Sequence, residues 1–210
     1  MAVDQRKDLI VLTADKHAQF TMRSLLMRHH ALGIRPIEFD IFVHPFRDPG
    51  CLRESGTFLS VFRDSYEYAL VVFDRVGCGR ENDSREVLEG DVESAMKKSG
   101  WAQSCAAAIV LDPELEIWIW SDSPQVDEAL GWHQQSPDLR SWLRKKQYLT
   151  PNALKPAQPK EAMISALRKV RRAQSSSIFQ VLAETVSVER CSDAAFAKLK
   201  AILKSWFLIA

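Results

Sequence analysis

Residues 106–122 read AAAIVLDPELEIWIWSD, and the rest of the chain is arranged around this stretch. The β-prone apolar run at 109–111 reaches Asp112-Pro113, which reads as a helix cap followed by proline at the first helical position. The segment beyond is apolar on nearly every side (Leu115, Ile117, Trp118, Ile119, Trp120) yet carries Glu114, Glu116 and Asp122. A carboxylate in apolar surroundings needs a cation, hydrogen bonds or a raised pKa. The same chemistry occurs upstream, where Leu70-Val71-Val72-Phe73 ends at Asp74 and runs into Arg75-Val76-Gly77-Cys78-Gly79. Two buried strands that each deliver acids at their carboxyl ends predict a site on an α/β sheet.

Working outward, residues 8–13 (DLIVLT) read as a first strand and 37–43 (IEFDIFV) as a second, with 69–74 the third and 105–111 the fourth. A helix is expected from about residue 18 to Leu32, on the stripe Ala18, Met22, Leu25, Leu26, His29 and Leu32, with Gly33 as its stop. Residues 45–56, rich in proline and glycine, read as a loop, and 58–66 as a helix. Asn82-Asp83-Ser84 signals a helix running to about Lys98. Strands alternating with helices predict a four-stranded, mostly parallel sheet flanked by helices. In such sheets ligands sit beyond the carboxyl ends of the strands, where Asp15, Asp74 and Asp112 all fall.

Past Asp122 the pattern becomes helical: short pieces at 124–130 and 137–146, a three-proline connector at 149–159, and helices from 160, 175 and 193 onward. The expected organisation is an α/β domain over 1–123 with a helical, basic extension over 124–210 packed on it. The 210 residues are 46% hydrophobic and 26% charged, the composition of a soluble globular protein able to bury a full core. No apolar run reaches the roughly 18–20 residues of a membrane span, and residues 1–8 lack the layout of a signal peptide. Cys51, Cys78, Cys105 and Cys191 are scattered without a C-x-x-C pair, which points to a reduced cytoplasmic protein and away from structural zinc.

The net charge of +1 hides an asymmetry. Residues 1–139 hold 14 Lys/Arg against 23 Asp/Glu, whereas residues 140–172 hold ten basic side chains against Glu161 alone. The basic segment includes Arg144, Lys145, Lys146, Arg168, Lys169, Arg171 and Arg172. Such a split fits either a face for nucleic acid or a partner protein, or internal pairing with the acidic body.

Taken together, Asp15-x-His17 with Gln19-Phe20 opening a helix, Val72-Phe73-Asp74 closing a strand, and residues 113–118 (PELEIW) ending in Ser121-Asp122 resemble small Toprim-like proteins of bacterial genomes, similar to RloB-like proteins of restriction and anti-phage defence loci. Residues 155–160 (KPAQPK) and 196–199 (FAKL) look like the C-terminal part of such proteins. The resemblance implies a Toprim-like sheet and a component of a methylation-associated defence system. That component would bind nucleic acid or other proteins of the same locus. Toprim sites hold Mg²⁺ with a glutamate after the first strand and an Asp-x-Asp after the third. Here Thr13 and Ala14 stand where the glutamate belongs, and Asp74-Arg75-Val76 lacks the second acid. The resemblance therefore implies a reduced metal site of Asp15, Asp74, Glu116 and Asp122, with Asp74 and Glu116 as its catalytic pair. Two alternatives stay open: an active Mg²⁺-dependent nuclease, and a purely structural scaffold subunit. Arg75 could occupy the place of a lost cation.

Overall fold

In the computed structural model the four apolar runs form strands β1 (Lys7–Thr13), β2 (Phe39–Val43), β3 (Tyr66–Asp74) and β4 (Ala106–Leu111). Residues 6–121, 123–188 and 191–209 are described. The strands pair in the order β2-β1-β3-β4, and all three pairings are parallel. Their near-continuous apolar character follows from helices covering both faces of the sheet. Side chains alternate accordingly: Leu9, Val11, Leu70, Val72 and Ile109 belong to one buried cluster, and Ile10, Leu12, Val71, Phe73 and Val110 to another.

The first cluster is completed by α1 (Lys16–Met27) and by the C-terminal helices, the second by α3 (Arg47–Ser60) and α4 (Arg85–Lys98). Helices α6 (Pro124–Leu130), α7 (Leu139–Lys145), α8 (Pro159–Lys169), α9 (Ser176–Thr185) and α10 (Ala194–Trp206) make up the C-terminal segment. Their Leu130, Leu143, Met163, Phe179 and Leu199 share one cluster with the sheet, so this segment completes a face of the core. The chain runs outward from β1 to β2 and then returns past β1 to β3. Between β1 and β3 the direction of winding reverses, and the crevice at their carboxyl ends is where such sheets bind ligands.

Several expectations are corrected. The stretch read as a loop, 45–56, lies largely inside α3, and the helix expected at 58–66 ends at Ser60 before β3 begins at Tyr66. Pro49 falls in the first turn of α3, where its missing N–H costs nothing. Gly50 and Gly56 mark close packing rather than a turn: a Cβ on Gly50 would lie 2.0 Å from His44 Nδ1, and one on Gly56 2.8 Å from the Ala95 carbonyl oxygen. The helix expected to reach Leu32 breaks at Arg28 into α1 and a single turn, α2 (His29–Leu32). Arg28 Nη1 donates to the carbonyls of Ala183 (2.6 Å) and Val186 (2.8 Å), which fixes the break against α9. Asp112 and Pro113 do not open a helix. Their peptide bond is cis, and the only helical residues nearby are α5 (Glu116–Ile119).

The edge strand β4 is closed by side chains. Val110 N–H donates to Glu89 Oε1 (3.0 Å) and Ala108 N–H to Glu93 Oε1 (3.1 Å), both on α4. Lys198 from α10 bridges the two acids at 3.0 and 2.8 Å, and Arg85 holds Glu89 at 2.8 Å. These bonds satisfy backbone donors that would otherwise invite another strand.

Candidate metal centre

Asp74 is the last residue of β3 and lies at the winding reversal. Its Oδ1 accepts the Leu115 N–H at 2.9 Å, which ties it to the segment after β4. Its own N–H donates to Asp48 Oδ1 at 2.8 Å, so the first turn of α3 brings a second acid underneath. The segment between β4 and α5 is not helical. Glu114 and Glu116 therefore converge, where i and i+2 residues of a helix would diverge. One carboxylate oxygen from each of Asp74, Glu114 and Glu116 lies within 4.8 Å of the others. Glu114 and Glu116 are buried and Asp74 partly so.

The neutralising groups come from the C-terminal segment. The Trp120 indole donates to the Pro159 carbonyl at 2.9 Å, which anchors the start of α8 over the acids. There the Lys160 N–H, one of the helix's free terminal donors, donates to Glu114 Oε1 at 3.1 Å, and Lys160 Nζ lies 3.4 Å from Glu114 Oε2. Glu116 has less support: Gln174 Nε2 donates to its Oε1 at 3.3 Å. Burial accordingly pushes the Glu116 carboxyl up to about 7, with Glu114 and Asp15 adding to the rise against Lys160. Burial also holds Asp74 well above the usual carboxylate range, reinforced by Asp48, Glu116 and Asp15. Asp48 is raised by burial as well. Lys160 is raised in spite of its desolvation, because Glu116, Glu114 and Asp74 favour its charge. More negative charge converges here than one ammonium offsets.

Of the residues expected from sequence, Asp74 and Glu116 are brought together. Asp15 caps α1, its Oδ1 accepting the Ala18 N–H at 2.8 Å. It acts on Asp74 and Glu116 through its charge but is not one of the three converging acids. Asp122 lies outside the described residues. Arg75 does not fill the site: its Nε donates to Asp112 Oδ1 at 2.8 Å and its Nη1 to the Glu81 carbonyl. Glu114, Asp48 and Lys160 were missed. Glu114 is one of the acids of the 106–122 stretch, but a helix capped at Asp112 would turn it away from Glu116; Asp48 lies in the stretch expected to be a loop, and Lys160 lies in the basic segment with nothing local to single it out.

His17 stacks on Phe179 with centroids 4.5 Å apart, and burial lowers its pKa. Of the basic residues, Arg144, Lys145, Lys146, Arg168, Lys169, Arg171 and Arg172 are all exposed, on α7 and α8 or just after them, and those two helices pack together. Arg172 also donates to the Ala129 carbonyl at 2.7 Å, so part of its role is to hold α6.

An all-oxygen, partly buried, anionic donor set suits a hard divalent cation rather than a thiophilic one. The cluster of Asp74, Glu114 and Glu116 could hold a metal ion. Among the described residues, no helix is long and apolar enough to cross a membrane. No family model, curated protein or solved structure matches the chain.

Proposed function

We propose that this chain is a Toprim-like protein that binds Mg²⁺ through Asp74, Glu114 and Glu116 and acts on the phosphodiester backbone of nucleic acid. The observation that carries this reading is the convergence of three carboxylates within 4.8 Å at the carboxyl end of β3. When bound there, the cation would supply charge stabilisation to a phosphoryl oxygen. Asp48 holds the backbone of Asp74, Gln174 orients Glu116, and the α8 N-terminus orients Glu114. Lys160, whose side chain is 45% exposed, reaches both the acids and solvent and is placed to meet an incoming phosphate. The exposed arginines and lysines on and after α7 and α8 contact the polyanion, as a component of a bacterial defence locus would require.

Mg²⁺ titration of the melting temperature tests the metal, with Asp74→Asn as the control that keeps the Leu115 hydrogen bond. Saturable stabilisation at millimolar Mg²⁺, lost in Asp74→Asn, supports the centre, and its absence refutes it. Cleavage of single- and double-stranded DNA and RNA with Mg²⁺ or Mn²⁺ tests the activity. Retention on nucleic acid should weaken with salt and with Arg168→Glu/Arg171→Glu.

A second reading is favoured by Lys160. Its ammonium sits on Glu114 and raises the option of a metal-free charge cluster in a nucleic-acid or partner-binding protein. That reading expects salt-dependent binding with no Mg²⁺ shift and no cleavage.

A further inference from the structure

A pocket of about 190 Å³ lies between α1, α5, α9 and α10, and none of Asp48, Asp74, Glu114 or Glu116 lines it. Its walls are mostly apolar and include Leu25, Trp118, Phe179 and Phe196. An apolar cavity of about 150 Å³ is large enough to take benzene, so the space fits one ring with a short substituent. Leu154, which is 73% exposed, also lines the pocket and places its mouth beside Lys155. Among the described residues Lys155 is the single charged side chain in the lining.

Lys155 is half-buried, and its ammonium donates to the Ile117 carbonyl at 2.8 Å, beside the α5 wall. That bond uses one of its three protons, and among the described residues no carboxylate pairs with it. Lys200 on α10 is placed alike: half-buried, it donates at 3.3 Å to the carbonyl of Val188, a lining residue. Burial pushes the Cys191 thiol in the pocket wall up, and the charges of Lys155 and Lys200 both act on it in the opposite sense. Asp193, the acid that acts on the same thiol, already accepts from the Trp118 indole at 2.8 Å and the Phe196 N–H at 3.0 Å. Two ammonium groups against one hydrogen-bonded carboxylate leave the edge of an apolar pocket positive.

We infer that this pocket binds a small amphipathic anion, an apolar body of about one ring's size carrying a single carboxylate that pairs with Lys155. The walls gain the buried surface of the body, and the ammonium fixes its orientation through a charge-assisted hydrogen bond. Lys200 adds its charge from the α10 side. A cation of the same shape would meet like charge, and a neutral molecule would forgo the charged pair.

The test uses three probes of one shape and different charge: hydrocinnamate, hydrocinnamamide and phenylpropylamine. Binding to the full chain, in EDTA so that the metal centre plays no part, is followed by calorimetry and by the Trp indole resonances. With eleven heavy atoms, hydrocinnamate should bind with a Kd of roughly 1 mM or tighter, and about tenfold tighter than the amide. The amine should bind more weakly than either. Lys155→Met keeps the stem and removes the charge, and should bring the acid to the level of the amide. Lys155→Arg keeps the charge and should keep the preference. Ala183→Phe, which fills the pocket from α9, should abolish binding of all three. Absence of saturable hydrocinnamate binding to the wild type overturns the inference. So does an amide or amine that binds as tightly, or a Lys155→Met variant that keeps the preference for the acid. Should Ala183→Phe fail to fold, the Lys155 comparison decides alone.

Discussion

Replacing Glu116 by Gln should stabilise this protein in the absence of metal, and only above mildly acidic pH. Glu116 is 3% exposed, and burial lifts its pKa from an ordinary 4.5 to about 7. The folded state therefore holds this proton more tightly than the unfolded chain. Below pH 4.5 both states are protonated and the group costs nothing. As pH rises through 4.5 the unfolded chain ionises first, so stability falls, and the full cost is reached once the pH has passed the folded value near 7. A rise of that size is worth about 3 kcal/mol at pH 8, at about 1.4 kcal/mol per pKa unit. For a chain of this length that is roughly 6–12 °C in Tm. Glutamine has nearly the same shape and keeps an oxygen for the Gln174 amide. It also relieves Asp74, which feels the Glu116 charge. Urea melts of wild type and Glu116→Gln from pH 4.5 to 8.5, in EDTA, should coincide at the acid end and separate steadily in favour of the variant. With Mg²⁺ the order should reverse at pH 8, because only the wild type offers a third anionic ligand. A variant less stable than the wild type at pH 8 in EDTA, or a difference that does not change with pH, would refute the assignment of Glu116 as a buried, uncompensated acid.

Three further perturbations bear on the same framework. Lys160→Met removes the ammonium beside Glu114. It should lower the unfolding free energy in EDTA at pH 8 by on the order of 1 kcal/mol in urea melts, given the exposure of the side chain, with recovery when Mg²⁺ is added. Gly50→Ala separates two opposite expectations: helix propensity alone favours alanine by about 1 kcal/mol. The Cβ would meet the buried His44 ring, so chemical denaturation should show a net loss of about 2 kcal/mol. Glu89→Ala should cost about 3 kcal/mol and promote self-association in sedimentation, because it strands Lys198 and Arg85 and frees the Val110 N–H on edge strand β4. Glu89→Gln, which retains an acceptor for Val110, should lose less.

The sheet was legible because its chemistry is local. Leu70 to Phe73 are apolar without interruption, a pattern that arises where helices cover both faces, and all four strands lie within a few residues of their expected positions. Helix α3 was not legible because its glycines answer to distant atoms. Nothing near residue 50 announces that the His44 ring will pack where a Cβ would stand, and the same Pro-Gly composition ordinarily marks a turn. That misreading hid Asp48, whose part in the site depends on α3 starting beside the end of β3.

The acids were legible as chemistry before they were legible as geometry. Asp74 could be placed at a strand end from the apolar run before it, and Glu116 from its apolar neighbours. Glu114 could not, because capping a helix at Asp112 puts positions 114 and 116 on different sides of it. In the fold Asp112 instead takes the Arg75 guanidinium, and the residues up to 115 stay out of the helix, so the two glutamates turn to the same point. The charge asymmetry was read along the chain as an acidic body and a basic segment. Part of the basic segment is held internally and part is exposed. Lys160 is spent internally on Glu114, and Arg172 on the Ala129 carbonyl. Arg168, Lys169 and Arg171 remain exposed at the far end of α8 and beyond. The eleven-residue α8 thus presents its N-terminus and Lys160 to the buried acids and its basic C-terminal turn to solvent, which its dipole favours at both ends.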